Sequence, residues 1–255
     1  MLDDLKGKRV LVTGSSTGMG AAVAKAFAAR GARVIVHYNA SVGEAEAVVR
    51  DIKDTGGEAY ALQADVSRSA AAAQLVEDTV AKLGGLDVLI NNAGAMIKRS
   101  PLQEIDDELY DRVLDTNIRS VVMTSKAALP YLSKADGGGV IINMSSIAAR
   151  NGGGPGAGLY AGAKAFVLNI TRNMAKELAP SNIRVNGVSP GVIMTPFHER
   201  FSSPEWIEAQ RKTIPMARIG TPEDAVGVFL FLASNAMSGY INGQTIELNG
   251  GQYMP

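Results

Sequence analysis

Residues 13–20 read Thr13-Gly14-Ser15-Ser16-Thr17-Gly18-Met19-Gly20. A short β-branched run, residues 9–13, leads into this stretch, and a helix-like run, residues 19–30, follows it. A glycine-rich turn between a strand and a helix lets the backbone approach a phosphate, which then meets the unpaired N–H groups of the helix N-terminus. The spacing is neither G-x-G-x-x-G nor that of a P-loop, which would carry Lys and then Ser or Thr after its last glycine. The stretch therefore predicts a dinucleotide phosphate site, and the alternative is an ordinary βα turn.

Strand-like and helix-like runs alternate along the whole chain. The strand-like runs cover residues 9–13, 33–37, 59–64, 88–91, 140–144, 184–189 and 245–248, and the helix-like runs cover residues 19–30, 42–54, 70–83, 107–133, 159–179 and 222–233. Several strand-like runs are apolar on consecutive residues, as in Val34-Ile35-Val36, which is typical of parallel strands covered by helices on both faces. We predict a single α/β domain over residues 1–255, a Rossmann-type doubly wound fold with a seven-stranded parallel sheet and helices on both faces. Residues 196–215 contain Phe201, Trp206 and Ile207, and they are expected to form a helical insertion that acts as a substrate lid.

Charge and composition exclude several classes of function. Lys and Arg together number 25, as do Asp and Glu, so the formal net charge is zero and neither nucleic acid nor a membrane is expected as a partner. Cysteine is absent and the two histidines, His37 and His198, are far apart, so no metal site is expected. Residues 1–8 are charged and carry no apolar run, and no apolar stretch is long enough to span a bilayer. We therefore expect a cytoplasmic protein.

Tyr160 and Lys164 stand four residues apart in a helix-like run, so their side chains share one face of the helix. A free phenol has a pKa of about 10, and a nearby cation favours the phenolate. We expect Lys164 to lower the pKa of Tyr160 toward neutrality, which would let the phenol exchange a proton with an alcohol or a carbonyl. The alternative is a surface tyrosine beside a solvated lysine.

A second motif points to a different chemistry. Gly187-Val188-Ser189-Pro190-Gly191 satisfies the G-x-S-x-G pattern of a hydrolase nucleophile elbow. The elbow uses the N–H group after the serine to build its oxyanion hole, and Pro190 has no N–H group. A hydrolase is therefore the weaker alternative.

Taken in order, the motifs resemble those of the classical short-chain dehydrogenase/reductase family over nearly the whole chain. The resemblance rests on residues 13–20, Asp65-Val66, Asn91-Asn92-Ala93-Gly94, Asn117, Ser145-Ser146, Tyr160-x-x-x-Lys164 and Pro190-Gly191. It implies an NAD(P)-dependent oxidoreductase that interconverts a secondary alcohol and a ketone by hydride transfer. A 3-oxoacyl-thioester reductase and a sugar or polyol dehydrogenase are the candidates within the family. The alternative from another class, a non-catalytic nucleotide-sensing binding protein, is disfavoured because it would not need Tyr160 and Lys164.

The resemblance implies a role for each catalytic residue. Tyr160 is the acid/base, and Lys164 lowers its pKa and holds the nicotinamide ribose. Ser146 positions the substrate oxygen, and Asn117 anchors a water that links Lys164 to solvent. Ser146 is favoured over Ser145, although 14 residues separate it from Tyr160, one more than is usual in the family. We expect the glycine-rich residues 152–158 to absorb the extra residue.

The cofactor contacts also follow from the resemblance. The residues expected to contact the cofactor are Gly14, Ser16, Gly18, Met19, Gly20, Tyr38, Asn39, Ser41, Asp65, Val66, Asn92, Ala93, Gly94, Tyr160, Lys164, Pro190, Gly191, Ile193 and Thr195. The second strand-like run is followed by no acid that would grip a ribose 2′-hydroxyl and repel a 2′-phosphate, so NADP(H) is favoured. Thr17 stands where NADP-selective relatives often carry a basic residue, which leaves NAD(H) or dual use open.

The substrate is a small molecule whose identity the sequence encodes poorly. The residues expected to line its pocket are Met96, Ile147, Met194 and Phe197, with Ile97 and Trp206 nearby. Their apolar character favours a ketone with a hydrocarbon flank, whereas Arg99 or Arg150 would serve a charged group. The apolar C-terminal residues, Tyr253 to Pro255, are expected to dock against a neighbouring subunit, as in relatives that form homotetramers.

Overall fold

The computed structural model describes residues 2–255; Met1, the first residue of the predicted domain, lies outside the described residues. Within this range the sheet has seven strands in the order β3-β2-β1-β4-β5-β6-β7, and every neighbouring pair is parallel. The strands are β1 (Arg9–Val12), β2 (Arg33–Tyr38), β3 (Glu58–Gln63), β4 (Val88–Asn91), β5 (Gly139–Met144), β6 (Ile183–Pro190) and β7 (Thr245–Leu248). The predicted doubly wound, seven-stranded parallel sheet is confirmed.

Helices connect the strands and cover both faces of the sheet. The helices described over residues 2–255 are α1 (Gly18–Ala29), α2 (Val42–Asp54), α3 (Ser69–Leu83), α4 (Asp107–Leu114), α5 (Ser120–Leu132), α6 (Ala148–Asn151), α7 (Gly158–Leu178), α8 (Pro196–Phe201), α9 (Pro204–Thr213), α10 (Pro222–Ala233) and α11 (Asn235–Ser238). None of them is long and apolar enough to cross a membrane.

The continuous helix predicted over residues 107–133 is interrupted in the structure. A π-helical turn, Asp115–Arg119, joins α4 to α5, and it contains the fully buried Asn117. Such turns widen the helix locally and recur at functional sites. Hydrophobic periodicity cannot predict the turn, because the apolar pattern continues through it.

The two faces of the sheet explain the continuous apolar runs of its strands. Val10 and Val12 of β1 belong to one buried cluster, with Phe27 of α1 and Phe229 of α10. Leu11, between them, belongs to the cluster on the opposite face, which includes residues of α3, α5 and α7. Successive side chains of a strand point to opposite faces, so a strand covered on both sides must be apolar at every position.

The strand order reverses between β1 and β4, because the chain leaves β1 toward β2 and β3 and returns to β4 on the other side. The connections that follow these two strands diverge and open a crevice at the carboxyl edge of the sheet. The turn Thr13–Gly20 and the segment that follows β4 lie at this crevice.

Candidate active site

A cleft of about 720 Å³ occupies the carboxyl edge of the sheet. Its walls are formed by the β1–α1 turn, by the segments that follow β2 to β6, and by helices α7 to α9. Every residue predicted to contact the cofactor lines this cleft, as do Met96, Ile147 and Phe197 of the predicted substrate pocket. Met194 does not: its side chain lies outside the cleft and is 40% exposed.

The glycines of the β1–α1 turn are required by close contacts. Gly14 and Gly18 have φ of +63° and +56°, in the left-handed region that favours glycine. Gly20 has no such strain, but a Cβ there would collide with the Gly14 carbonyl and lie 2.6 Å from Asn92 Nδ2. No side chain caps the N-terminus of α1, whose first residues line the cleft. Its free N–H groups and dipole make this wall suited to an anion such as a pyrophosphate.

The side chain of His37, at the end of β2, is hydrogen-bonded to the glycine turn. The Gly14 N–H group donates to His37 Nδ1 at 2.8 Å, and His37 Nε2 lies 3.0 Å from the Ala64 carbonyl. Nδ1 is therefore an acceptor and Nε2 the donor, so the ring is neutral. Burial is the main cause that lowers the His37 pKa, in agreement with this assignment. This role of His37 was not predicted from the sequence, although a histidine at the end of a buried strand was a usable signal.

Asn92 ties the β1 turn to the segment that follows β4. Its Nδ2 donates to the carbonyls of Thr13 and Gly14, each at 2.8 Å. The Thr13 hydroxyl in turn accepts from the N–H groups of Asn92 and Ala93, each at 3.0 Å. These hydrogen bonds join the loop after β1 to the segment after β4, and so fix the width of the cleft between them.

Tyr160, Ser146 and Lys164 meet in the middle of the cleft. Helix α7 carries Tyr160 and Lys164 on one face, and Lys164 Nζ lies 5.7 Å from the centre of the Tyr160 ring. Ser146 follows β5; its Oγ accepts from the Ala148 N–H group at 3.1 Å, and its side chain lies near enough to Tyr160 to lower the pKa of the phenol. Ser145 Oγ donates to the Lys164 carbonyl at 2.9 Å. The hydroxyl of Ser146 is thus placed beside the phenol, and that of Ser145 is committed to the backbone of α7.

The expectation that Lys164 lowers the pKa of Tyr160 toward neutrality is wrong for the protein without a bound cofactor. Burial raises the pKa of Tyr160 to about 12, and the nearby Ser146 side chain opposes this only in part. Burial also lowers the pKa of Lys164 to about 8; this side chain is 2% exposed, and its Nζ donates to the Met144 carbonyl at 2.9 Å. Helical spacing predicts that the two groups are neighbours but does not include the cost of removing their charges from water.

Asn117 lies behind Lys164 and does not itself line the cleft. Its Nδ2 donates to the carbonyls of Ala95 and Val113 at 2.8 and 2.9 Å, and its Oδ1 accepts from the Ala95 N–H group at 3.1 Å. A Cβ on Gly94 would lie 2.8 Å from Asn117 Oδ1 and 2.9 Å from Lys164 Nζ. The amide and the ammonium therefore flank the same glycine, which must have no side chain.

Another wall of the cleft is formed by the end of β6 and the residues that follow it. A Cβ on Gly18 would lie 3.2 Å from Thr195 Cγ2, so this threonine packs directly against the turn. Pro190 accepts from the Ile147 N–H group at 2.8 Å, which joins the ends of β5 and β6. Ser189, the candidate nucleophile of the G-x-S-x-G pattern, lies within β6 and is fully buried, so it is not presented to a substrate.

The substrate end of the cleft is more polar than the sequence analysis predicts. Residues 196–213 form α8 and α9, which are joined by two residues and line the cleft through Phe197, His198 and Trp206. The Phe197 ring lies 5.7 Å from that of Tyr160, and the His198 ring stacks on Trp206 at 5.6 Å. The polar residues that also line this end are Arg99, Asn151, Arg200, Gln210 and Gln252. Except for Arg99, these residues carry no motif in the sequence that relates them to the cleft, because they come from α6, α8, α9 and the segment after β7.

The residues present fit a nicotinamide dinucleotide. The glycine turn and the open N-terminus of α1 suit its pyrophosphate, and the Asp65 carboxylate lies at one end of the cleft, where the adenosine half would lie. Lys164, Tyr160 and Ser146 lie toward the other end, where a nicotinamide half would lie.

Comparison with known proteins agrees with this geometry. A protein-family model described as Enoyl-(Acyl carrier protein) reductase matches residues 14–252. The chain is 39% identical over 252 residues to 3beta-hydroxysteroid dehydrogenase 1 of Eggerthella lenta, covering 98% of this chain and 95% of that protein. It is 40% identical to a 3-oxoacyl-[acyl-carrier-protein] reductase of Synechocystis, with 96% of each chain covered.

A solved structure shares both the fold and much of the sequence. The crystal structure of the NADH-dependent reductase A1-R' complexed with NAD superposes with a TM-score of 0.90 at 41% sequence identity, and all of both chains is covered. At this identity the likeness extends beyond the fold.

Proposed function

The chain belongs to the short-chain dehydrogenase/reductase family, and we propose that within it the protein works as a carbonyl reductase with NADP(H) as its preferred cofactor. It is an NAD(P)-dependent oxidoreductase that interconverts a secondary alcohol and a ketone. The reductive direction is supported by the 40% identity to a 3-oxoacyl-[acyl-carrier-protein] reductase. The site is compatible with it, because burial raises the pKa of the Tyr160 phenol to about 12 and this group lines the cleft as a proton donor.

Each side chain at the centre of the cleft has one task in this proposal. Tyr160 gives its proton to the substrate oxygen, and Ser146, whose side chain lies near Tyr160, donates to the same oxygen and orients it. A bound nicotinamide ring supplies the hydride that the carbonyl carbon accepts. Lys164 holds the ribose and returns a proton toward Tyr160. Asn117, which flanks Gly94 together with Lys164, anchors the water through which Lys164 exchanges protons with solvent.

The cofactor-binding roles follow the position of each residue in the cleft. Gly14, Ser16, Gly18, Met19 and Gly20 hold the pyrophosphate. The adenosine half lies against Asp65, Val66, Asn92, Ala93 and Gly94, and the nicotinamide half against Pro190, Gly191, Ile193 and Thr195.

The preference for NADP(H) is supported by the region that follows β2. Tyr38, Asn39 and Ser41 line the cleft there, and none is acidic. Ser41 caps the N-terminus of α2 without using its side chain, so its hydroxyl and the helix dipole suit a 2′-phosphate. The test is the ratio of kcat/KM for NADPH and NADH. Asn39→Asp adds a charge that repels a phosphate, and it should reverse the preference; an unchanged ratio would contradict this assignment.

Two substrate classes have support. A 3-oxoacyl thioester is suggested by the relative from Synechocystis, and a sugar or polyol derivative is suggested by His198, Asn151 and Gln210 at the substrate end. A panel of simple ketones, 3-oxoacyl thioesters and oxidised sugars, read at the nicotinamide absorbance with both cofactors, tests the proposed function. Oxidation of the reduced cofactor by at least one ketone is expected, and its absence across the panel would contradict a reductase.

The proposal includes a homotetramer in the cytoplasm. All four residues of the edge strand β7 are partly exposed, and Met254 of the tail remains 79% exposed. β7 is the edge strand of the sheet, and its unpaired edge together with the exposed Met254 supports an assembly that covers it. Light scattering coupled to size exclusion should give four times the chain mass, and a monomer would contradict the assembly.

A further inference from the structure

Arg99 differs from most arginines of the protein in having no carboxylate partner while being partly buried. Eight of the fourteen arginines form ion pairs with Asp or Glu. Among residues 2–255, the two unpaired arginines that line the cleft are Arg99 and Arg200. Arg150, the other arginine considered for a charged group, pairs with Glu247 at 3.0 Å and does not line the cleft. An uncompensated guanidinium in a cleft favours a ligand that brings a negative charge.

The Arg99 side chain is hydrogen-bonded to two walls of the substrate end. Its Nε donates to the Phe201 carbonyl of α8, and its Nη1 donates to the Pro155 carbonyl of the α6–α7 loop, each at 3.2 Å. The loop can approach because Gly156 is a glycine: a Cβ there would lie 3.2 Å from Arg99 Cβ. A guanidinium has five N–H donors, so these two carbonyls leave donors over for a ligand.

Within the described residues, no carboxylate lines the cleft at the Arg99 end. Asp65 is the one acidic residue that lines the cleft within residues 2–255, and it lies at the opposite end, after β3. His198 faces Arg99 and stays neutral, because burial, and after it the positive charge of Arg99, lowers its pKa to about 4. Arg200 lines the same end and adds a second positive charge.

Arg99 is within reach of a substrate that reacts at Tyr160. The Tyr160 ring contacts Phe197, whose ring lies 5.2 Å from that of Phe201, and the Phe201 carbonyl accepts from Arg99. Two ring contacts and one hydrogen bond thus connect the phenol to the guanidinium, and both residues line the same cleft, so one ligand bound there can contact both.

We propose that Arg99, assisted by Arg200, forms an anion subsite that binds a carboxylate of the substrate several bonds from the carbonyl that Tyr160 protonates. A planar guanidinium matches a carboxylate through paired hydrogen bonds. The substrate class is then an oxo acid. This inference rests on the proposed reductase function and narrows it.

The experiment compares oxo acids with their uncharged esters. Laevulinate and its longer oxo-acid homologues are each assayed against the methyl ester with NADPH and the wild-type protein. The acids should be preferred in kcat/KM by about tenfold or more, because a hydrogen bond to a charged group is worth more than a neutral one. Arg99→Gln should raise KM for the acids about 10- to 100-fold more than for the matched esters. Arg50→Gln, an exposed arginine on α2 outside the cleft, is the matched control and should keep the preference.

Several outcomes would overturn the proposal. One is equal turnover of acid and ester by the wild-type protein, and another is an equal loss for both in Arg99→Gln, which would make Arg99 merely structural. A 3-oxoacyl phosphopantetheine thioester is assayed against the same thioester without its phosphate. If Arg99→Gln lowers the preference for the phosphorylated thioester but not the preference for the oxo acids, the anion is a phosphate and the carboxylate assignment is wrong. If Arg99→Gln does not fold, Arg99→Lys and Arg200→Gln decide by the same acid-to-ester ratio, which both should lower.

A binding measurement separates this inference from the proposed function. Oxo acid and ester are titrated calorimetrically into the protein loaded with oxidised NADP. Tighter binding of the acid, lost in Arg99→Gln, supports the subsite even if no ketone in the panel is reduced. Equal binding of acid and ester contradicts it even if the ketones are reduced.

Discussion

Lys164 Nζ lies 5.7 Å from the centre of the Tyr160 ring; burial lowers the pKa of the amine to about 8 and raises that of the phenol to about 12. The pair therefore begins a reductive cycle with its proton on the phenol. Proton supply then depends on whether the lysine can return a proton after each turnover.

The pH dependence of reduction should follow Lys164. Burial lowers its pKa to about 8, so the ammonium is present below that pH and is lost above it. The phenol, with its pKa raised to about 12, stays protonated across the same range. We expect kcat/KM for reduction to fall as the pH rises through about 8. Lys164→Met should be slow at every pH and lack this step, whereas a wild-type profile that is flat up to pH ~10 would contradict the assignment.

Ser145 and Ser146 should separate stability from catalysis. Ser145→Ala removes the hydrogen bond to the Lys164 carbonyl and should lower the free energy of unfolding by about 0.5–1.5 kcal/mol, with most activity retained. Ser146→Ala removes the hydroxyl beside Tyr160 and should lower kcat/KM by about 100-fold or more, with a loss of stability no larger than that of Ser145→Ala, since its Oγ also accepts one backbone N–H group. Denaturant titration and steady-state kinetics of both variants measure the difference. The reverse pattern would assign the substrate contact to Ser145.

Gly20→Ala should weaken cofactor binding by about tenfold or more, because the new Cβ collides with the Gly14 carbonyl and pushes the turn out of place. Gly227→Ala is the matched control: its position in α10 is exposed and has nothing within 4 Å of a new Cβ. The control should keep its cofactor affinity and gain about 0.5–1 kcal/mol in stability. Quenching of Trp206 fluorescence on titration with NADPH measures the binding. Equal affinity in the two variants would show that the turn does not hold the cofactor.

His37→Phe should weaken cofactor binding and cost about 1–3 kcal/mol in stability, because the Gly14 N–H group and the Ala64 carbonyl lose their partner. Burial lowers the His37 pKa from its ordinary value of 6.5, so the unfolded chain takes up a proton before the folded one does. The free energy of unfolding should therefore fall as the pH drops below about 6.5, a loss to which His198 also contributes. Thermal denaturation from pH ~5 to ~8 should show a smaller slope in His37→Phe than in the wild-type protein. An unchanged slope would mean that His37 is not part of this titration.

The strands and the glycine turn could be predicted because their signals are local. Apolar runs such as Val34-Ile35-Val36 give a buried strand, and β2, β4 and β7 begin at the predicted residues. Fixed spacing also predicts that Tyr160 and Lys164 are neighbours, since four residues make about one turn of a helix.

The rest depends on contacts between distant parts of the chain. The His37 ring reaches Gly14 only because β1 and β2 are adjacent, and Arg99 meets Pro155 and Phe201 only after three segments fold together. Burial of the phenol, which raises the Tyr160 pKa where spacing predicts the opposite, is a property of the assembled cleft. The polar substrate end likewise depends on how α8 and α9 fold back over the strands.

The most direct test is the turnover of Tyr160→Phe beside that of Tyr240→Phe, a fully exposed tyrosine, with NADPH and a ketone that the wild-type protein reduces. The first variant keeps the ring and loses the hydroxyl, so its kcat should fall by about 100- to 10,000-fold while its affinity for NADPH is retained. The control variant should keep wild-type turnover. Wild-type turnover in Tyr160→Phe would contradict the assignment of this phenol as the proton donor.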